Sequence, residues 1–118
     1  MLHHLADSEA VFNERIRKVL CEGRRVLWVY DQDAYARGLD YGTMPLNLSR
    51  DIYAAMRASL RYLAAEHYER HGHLEWVHSE TGVRTLKEEF DKVASHNEHH
   101  LAQIRTALSR SPAGLGSG

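Results

Sequence analysis

The last third of the chain carries the clearest hydrophobic pattern, which predicts one long helix from Thr85 to Leu108. Apolar residues recur there every three or four positions, and at about 100° per residue they fall in one stripe. The stripe consists of Leu86, Phe90, Val93, Leu101, Ile104 and Leu108. Thr85 and Glu88 have the spacing of a capping box, and no Pro or Gly interrupts the run before Pro112. The pattern predicts a helix with one buried face.

Two further stretches show the same helical periodicity. The first runs from Leu2 to Glu22 and ends at Gly23, and the second runs from Ser49, a suitable capping residue, to about Tyr68. Their predicted buried rows are Leu5, Phe12, Ile16 and Val19 in the first helix, and Ile52, Met56, Leu60 and Leu63 in the second. Three amphipathic helices with intervening connections predict an all-α helical bundle.

The segments between these helices lack a sustained period. Residues 24–47 are predicted to form a long connection with a short helical turn at Asp31–Ala36. Residues 67–84 are predicted to form a flexible loop, because Gly72 and Gly82 break the helical pattern.

Length and composition set limits on the fold and on the partners. The chain has 118 residues, of which 43% are hydrophobic, so we predict one domain over residues 1–110 and a flexible tail over 111–118. Fifteen basic and sixteen acidic residues leave a net charge of −1 without a basic stripe, so no nucleic-acid partner is expected. No apolar run approaches the roughly 20 residues that span a bilayer, so no membrane partner is expected. The lone Cys21 fits a reducing compartment, and the predicted location is cytoplasmic.

Histidine is the unusual residue type, with nine copies. His96 and His100 are four positions apart and project along the shoulder of the apolar stripe, whereas His99 projects to solvent. Two imidazoles at this spacing can ligate one metal ion. Partly buried polar residues without a metal are the alternative interpretation. In the first helix, His4 projects beside the apolar face and His3 projects away from it.

Three motifs give the chain a resemblance to a known family. They are HLADSE at residues 4–9, HSETG at residues 78–82 leading into Thr85 and Leu86, and HNEHHLAQI at residues 96–104. In this order they resemble the DinB-like superfamily of bacterial helical-bundle proteins, over nearly the whole chain up to about Leu108. DQDAY at residues 31–35 is similar to a segment that recurs in that superfamily.

The resemblance implies a metal site of three histidines, which correspond to His4, His96 and His100. Neutral imidazoles suit Zn²⁺ or Ni²⁺, and three protein ligands leave positions open for water or substrate. The candidates for a supporting or substrate-contacting role are Gln103, Asn97, His78 and Glu80. For the segment with His78 and Glu80, the alternative is a structural turn in which Gly82 has a positive φ.

The resemblance also bears on assembly. In the superfamily a separate helix precedes the HLADSE helix, whereas this chain starts at Met1, directly before that motif. We therefore expect an all-α up-down bundle that lacks the first helix of the superfamily, with its open side covered by a second copy in a homodimer. A longer protein with an earlier start is the alternative.

Three functions are compatible with these observations. Some DinB-like proteins are thiol transferases that use a low-molecular-weight bacterial thiol, so the resemblance implies a metal-dependent enzyme for thiol transfer or, otherwise, hydrolysis. The second function is a non-catalytic bundle that binds a metal or a small molecule in stress response. The third is a histidine-rich structural protein without metal.

Other polar and aromatic residues have mainly structural interpretations. Glu9 projects inward, where an unpaired carboxylate is costly, and Arg105 is its expected partner. Four aromatic residues of the long connection are expected to cover the core, or alternatively to line the mouth of a pocket: Trp28, Tyr30, Tyr35 and Tyr41. A second metal site is a less favoured alternative. It would use the four histidines between residues 67 and 78: His67, His71, His73 and His78.

Overall fold

The structure is a computed structural model that describes the backbone of residues 1–23 and 25–110, and the side chains of residues 1–23 and 25–99. Within these residues the chain forms four helices and three short strands. The helices are α1 (Leu2–Glu22), α2 (Gln32–Gly38), α3 (Leu46–His71) and α4 (Leu86–Arg110). The strands are β1 (Val26–Leu27), β2 (Glu75–His78) and β3 (Gly82–Thr85). The predicted tail, residues 111–118, lies outside the described part of the chain.

The three long helices pack around one apolar core, which confirms the predicted all-α class. Helix α1 packs along α3 and also contacts α4, while Trp76 of β2 closes one end of the core. The buried apolar cluster consists of Phe12, Ile16 and Val19 from α1, Leu60 and Leu63 from α3, Trp76 from β2, and Leu86, Phe90 and Val93 from α4. Most of the predicted apolar rows therefore face this core.

The beginning of α4 confirms the predicted capping box. The backbone N–H of Thr85 donates to Glu88 Oε1 at 3.0 Å, and the N–H of Glu88 donates to Thr85 Oγ1 at 3.2 Å. Gly72, at the end of α3, lets the beginning of α4 approach closely: a Cβ there would lie 3.1 Å from Lys87 Cβ, and the N–H of Lys87 donates to the carbonyl oxygen of Gly72 at 2.9 Å. The helix start is thus fixed by local sequence and by close packing together.

Residues 67–84 do not form the flexible loop that the sequence predicted. Helix α3 continues to His71, and the following residues form an antiparallel hairpin in which Trp76 pairs with Arg84. Gly82 has a φ of +86°, which fits the predicted turn conformation. Strands of four residues are too short to reveal a period, so the sequence pattern did not distinguish the hairpin from a loop.

The connection between α1 and α3 also contains regular structure. Strand β1 pairs in parallel with β2, with Val26 opposite Val77, so the sheet order is β1-β2-β3. The predicted helical turn corresponds to α2, where Asp31 Oδ1 accepts the backbone N–H of Ala34 at 3.0 Å. The first residues of this connection are therefore hydrogen-bonded to strand β2 of the hairpin.

Helix α3 differs from its predicted pattern at its first turns. It begins at Leu46 after Pro45, not at Ser49, and the Ser49 side chain is buried instead of capping the helix. Ile52 is 43% exposed although it was predicted to be in the buried row. Leu48 and Tyr62 are exposed apolar residues of the same helix. The homodimer that would cover such a surface stays a prediction.

None of the helices in the described part of the chain is long and apolar enough to cross a membrane.

A buried ion pair joins α1 to α4 and gives the first testable prediction. Arg15 Nη1 lies 3.4 Å from Glu89 Oε1, the two side chains are 6% and 1% exposed, and Arg15 also donates to the carbonyl oxygen of Trp28. Replacing Glu89 by Ala leaves a buried cation without its counter-charge, so we expect the free energy of unfolding to fall by about 3–5 kcal/mol. Urea denaturation measures this change.

The control is Glu14→Ala, because Glu14 pairs with Lys18 at the exposed surface of α1. We expect it to change the free energy of unfolding by less than about 1 kcal/mol. Equal effects of the two substitutions would show that the Arg15–Glu89 pair does not anchor α1 to α4.

Candidate metal centre

Two predicted ligands from opposite ends of the chain meet in the structure. The imidazole centroids of His4 on α1 and His96 on α4 are 5.4 Å apart, and their planes are inclined by 62°. Both residues are partly buried, and Phe12 packs edge-on against the His96 ring at a centroid distance of 5.4 Å. The predicted convergence of His4 and His96 is observed, and their role as metal ligands stays a prediction.

The third predicted ligand, His100, belongs to α4 one helical turn beyond His96, but its side chain lies outside the described residues. The same holds for the side chain of Gln103. Among the side chains that are described, no group of three His, Cys, Asp or Glu residues is placed to hold a metal ion. The geometry of the candidate centre is therefore that of the His4–His96 pair and the groups around it.

His3 occupies a different position from the one predicted. It was expected to point away from the core, but it is 1% exposed and its Nδ1 lies 2.5 Å from Ser49 Oγ. Its ring also lies 5.1 Å from that of Tyr41. The beginning of α1 is covered on both sides, by α3 and by the segment after α2, so neighbouring positions on this helix can both be buried. A helical projection does not predict the contact with Tyr41, because that residue comes from a separate segment of the chain.

Tyr30 forms one wall of the candidate centre. Its ring stacks on His4 with a centroid distance of 6.4 Å and an interplanar angle of 8°. The Tyr30 hydroxyl is buried and has no partner in hydrogen-bonding geometry among the described residues. Burial raises the pKa of this phenol, and the nearby Ser8 and Tyr41 hydroxyls oppose the rise only in part. Tyr30 therefore presents a neutral O–H group beside His4.

A second tyrosine links the same end of α1 to the segment after α2. Tyr41 donates a hydrogen bond to Asp7 Oδ2. Burial, followed by the bond to Asp7, raises the pKa of Tyr41, so the phenol keeps its proton over the physiological range. Ser8 Oγ lies 3.4 Å from His4 Nδ1. Asp7 and Ser8 were inside the HLADSE motif, which was the available signal for these contacts.

The four aromatic residues of the connection thus divide into two groups. Tyr30 and Tyr41 contact the histidine end of α1, through the rings of His4 and His3 respectively. Trp28 is 79% exposed and does not cover the core, while Tyr35 is at the surface with its ring edge-on to Tyr30 at 4.7 Å. Their positions in sequence do not separate the groups, because Trp28 and Tyr30 both precede α2, Tyr35 lies within it and Tyr41 follows it.

Asn97 and Glu9 form polar contacts inside the bundle. Asn97 is buried and accepts a hydrogen bond from the Tyr53 hydroxyl, which agrees with its predicted inward position. Glu9 is buried and pairs with Arg57 Nη1 at 3.4 Å, whereas the side chain of its predicted partner Arg105 lies outside the described residues. Burial raises the pKa of the Glu9 carboxyl, and Arg57 counteracts this rise. Arg57 itself is half-buried on α3.

His78 and Glu80 belong to the hairpin, where His78 has a structural role. It is buried, and its Nδ1 accepts the backbone N–H groups of Glu80 at 3.1 Å and Thr81 at 3.2 Å. This matches the structural-turn alternative for the HSETG segment. Glu80 is exposed and lines an open groove of about 360 Å³ together with Tyr30 and Asp31. Their predicted contact with a substrate stays untested.

Comparisons with known proteins find relatives with a common description. Two proteins of Oceanobacillus iheyensis are each named "putative metal-dependent hydrolase": one is 28% identical over 109 residues and the other 29% identical over 114 residues. A protein of Halalkalibacterium halodurans with the same description is 24% identical over 110 residues. The alignments cover 92–93% of this chain.

The chain spans 62–64% of the length of these relatives. No family model matches the chain, and no solved structure matches it.

The environment of His78 predicts how stability depends on pH. Burial, and then the nearby Arg15 and Lys92 charges, lower the pKa of His78 below its usual 6.5. A protonated ring would also lose the lone pair that accepts the two N–H groups. Between the two pKa values the unfolded chain binds more protons, so this contribution to stability is present above about pH 6.5 and is lost as the pH falls.

The matched variant is His78→Asn, whose side-chain oxygen can still accept from the turn and does not titrate. We expect urea denaturation between about pH 5 and 7.5 to show a smaller loss of stability on acidification in the variant than in the wild type. Parallel pH profiles would contradict the assignment of this dependence to His78.

Proposed function

We propose that this protein is a metal-dependent hydrolase in which His4, His96 and His100 hold one divalent ion. The observation that carries the proposal is the meeting of His4 and His96 from opposite ends of the chain in a partly buried position. The shared description of the relatives as metal-dependent hydrolases supports the same chemistry. His100 completes the set through its place in α4, one turn beyond His96.

The separation of the two described histidines suits a shared ion. Imidazole nitrogens bind Zn²⁺ at about 2.0–2.1 Å, so two rings on one tetrahedral ion have centroids about 5 Å apart. The observed 5.4 Å between His4 and His96 is close to that value. A small adjustment of side-chain torsions would bring both rings into position. The donor set and its spacing therefore fit a metal.

The donors favour a borderline ion, and we propose Zn²⁺ or Ni²⁺. Such an ion supplies Lewis acidity, which activates water and polarises the bond to be hydrolysed. Ser8 lies on the Nδ1 side of His4, so we assign Nε2 as the ligating nitrogen of that ring. A hydrogen bond at the other ring nitrogen orients a ligand and fixes its tautomer.

Tyr30 is the residue best placed to act on the substrate. Its neutral hydroxyl is buried beside His4 and has no partner in hydrogen-bonding geometry among the described residues. We assign it as the donor of a hydrogen bond to the substrate oxygen that gains negative charge during hydrolysis. A donor held in a dry position stabilises such charge more than water does.

The resemblance to the DinB-like superfamily belongs to the same proposal. The HLADSE and HNEHHLAQI motifs supply the three histidines, and the helical fold agrees with a bundle. The resemblance also implies thiol transfer, but the description of the relatives favours hydrolysis. The alternative is a bundle that binds the metal without catalysis. Turnover in the activity measurements below would exclude it, and absence of turnover would favour it.

Metal binding gives the first test of this proposal. Protein purified without a histidine tag and loaded with Zn²⁺ or Ni²⁺ is expected to retain one equivalent through gel filtration. Because loss of a supporting residue alone typically weakens metal binding about 10–100-fold, His96→Ala and His100→Ala should each weaken it at least that much. Elemental analysis and calorimetric titration measure the effect.

The matched control is His99→Ala, since His99 is exposed on the same helix. It should retain the metal with unchanged affinity. Full retention by His100→Ala would overturn the three-histidine assignment, and retention by His96→Ala would remove the proposed centre altogether.

The proposed role of Tyr30 is tested with Tyr30→Phe, which keeps the ring on His4 and removes the hydroxyl. We expect unchanged metal content and a fall in kcat of about 10²–10³-fold with chromogenic ester and amide substrates. Tyr35→Phe, at the surface beside it, is the control and should retain activity. A wild-type protein that binds metal but turns over neither these substrates nor a thiol with an electrophile would favour the non-catalytic alternative.

A further inference from the structure

A pair of histidines at the end of α3 contacts directly, far from the centre described above. His67 and His71 are four residues apart, their rings are 5.0 Å apart, and their Nδ1 atoms are separated by 2.8 Å. Both side chains are partly exposed, so solvent and ions can reach them.

The two pairs of histidines are well separated. Ser49, near the beginning of α3, contacts His3 beside the first pair, whereas His67 lies eighteen residues further along the same helix. At 1.5 Å per residue this corresponds to about 27 Å along the helix axis. The His67–His71 pair therefore requires an explanation of its own.

We propose that His67 and His71 form a second metal site, a surface chelate for a tetragonal divalent ion of the Cu²⁺ or Ni²⁺ type. Two nitrogens bound at about 2.0–2.1 Å and 90° to each other lie about 2.8–3.0 Å apart, whereas tetrahedral binding separates them by about 3.3–3.4 Å. The observed 2.8 Å matches the 90° arrangement. From this hydrogen-bonding distance the pair reaches the 90° arrangement with a smaller movement than the tetrahedral one, so we propose Cu²⁺ or Ni²⁺ as the occupant.

Contacts with α4 fix the end of α3 that carries the two histidines. Tyr68, between the two histidines in sequence, donates a hydrogen bond to Asp91 of α4 at 2.7 Å, and Lys87 Nζ lies 4.8 Å from the centre of its ring. These contacts fix the last turns of α3 against α4. Little conformational freedom remains to be lost when an ion binds.

Without an ion, the 2.8 Å contact is a hydrogen bond in which one neutral Nδ1–H donates to the other Nδ1. Binding of an ion by both Nδ1 atoms requires the donating ring to change tautomer, so that its proton moves from Nδ1 to Nε2 and both rings stay neutral. The remaining coordination positions are open to water, because no group of three ligating side chains is found among the described residues. This is a site for a weakly held ion at the surface.

The test is titration of the untagged protein with Cu²⁺, followed by calorimetry and electron paramagnetic resonance. Wild-type protein is expected to bind one more equivalent of Cu²⁺ than either His67→Ala or His71→Ala, with a tetragonal spectrum that carries nitrogen couplings. Because the ion binds only the folded chelate, Cu²⁺ should also raise the melting temperature less in both variants. Alanine favours helix, so both variants are expected to fold.

His73→Ala is the matched control, since His73 is exposed just beyond the helix and should not change Cu²⁺ binding. His96→Ala should keep the equivalent bound at His67 and His71, so failure of the first centre and failure of this one give different results. Equal stoichiometry and affinity in wild type, His67→Ala and His71→Ala would overturn the proposal.

Discussion

The structure depends on the satisfaction of polar groups that α1 buries. His3, Glu9 and Arg15 lie on one helix with their side chains removed from water, and an unpaired buried polar group costs about 1–3 kcal/mol. Their partners are Ser49 and Arg57 on α3 and Glu89 on α4. A rotation or shift of α1 would break several of these contacts together. The apolar core gives cohesion, whereas these pairs select one arrangement of the three long helices.

The same constraint determines what surrounds the candidate metal centre. Once α1 is fixed, His4 lies beside His96, and the contact of Arg15 with the carbonyl oxygen of Trp28 holds the chain that leads to Tyr30. Tyr41 is bound from the other side through Asp7. The tyrosines therefore reach the histidines through contacts that also stabilise the fold. Structure and candidate chemistry share one set of hydrogen bonds.

Sequence periodicity was sufficient for the long helices and insufficient for their surroundings. The stripe from Leu86 to Val93 and the Thr85–Glu88 spacing predicted α4 because both signals act within one helix. The hairpin escaped prediction because β2 and β3 have four residues each, and His3 was misplaced because a distant segment covers it. The convergence of His4 and His96 came from the resemblance. The position of Tyr30 beside His4 depends on the parallel pairing of β1 with β2, which no local sequence pattern encodes.

Strand β1 has a consequence for the order in which the structure opens. Its pairing with β2 joins Val26 to Val77 across a long stretch of chain, whereas the β2–β3 hairpin closes locally. The β1–β2 ladder has only two residue pairs, so few backbone hydrogen bonds hold β1 to the hairpin. Detachment of β1 is therefore a low-energy excursion that leaves the helices intact. Because Tyr30 follows on the same segment, each such excursion would draw its ring off His4 and briefly admit solvent to the histidines.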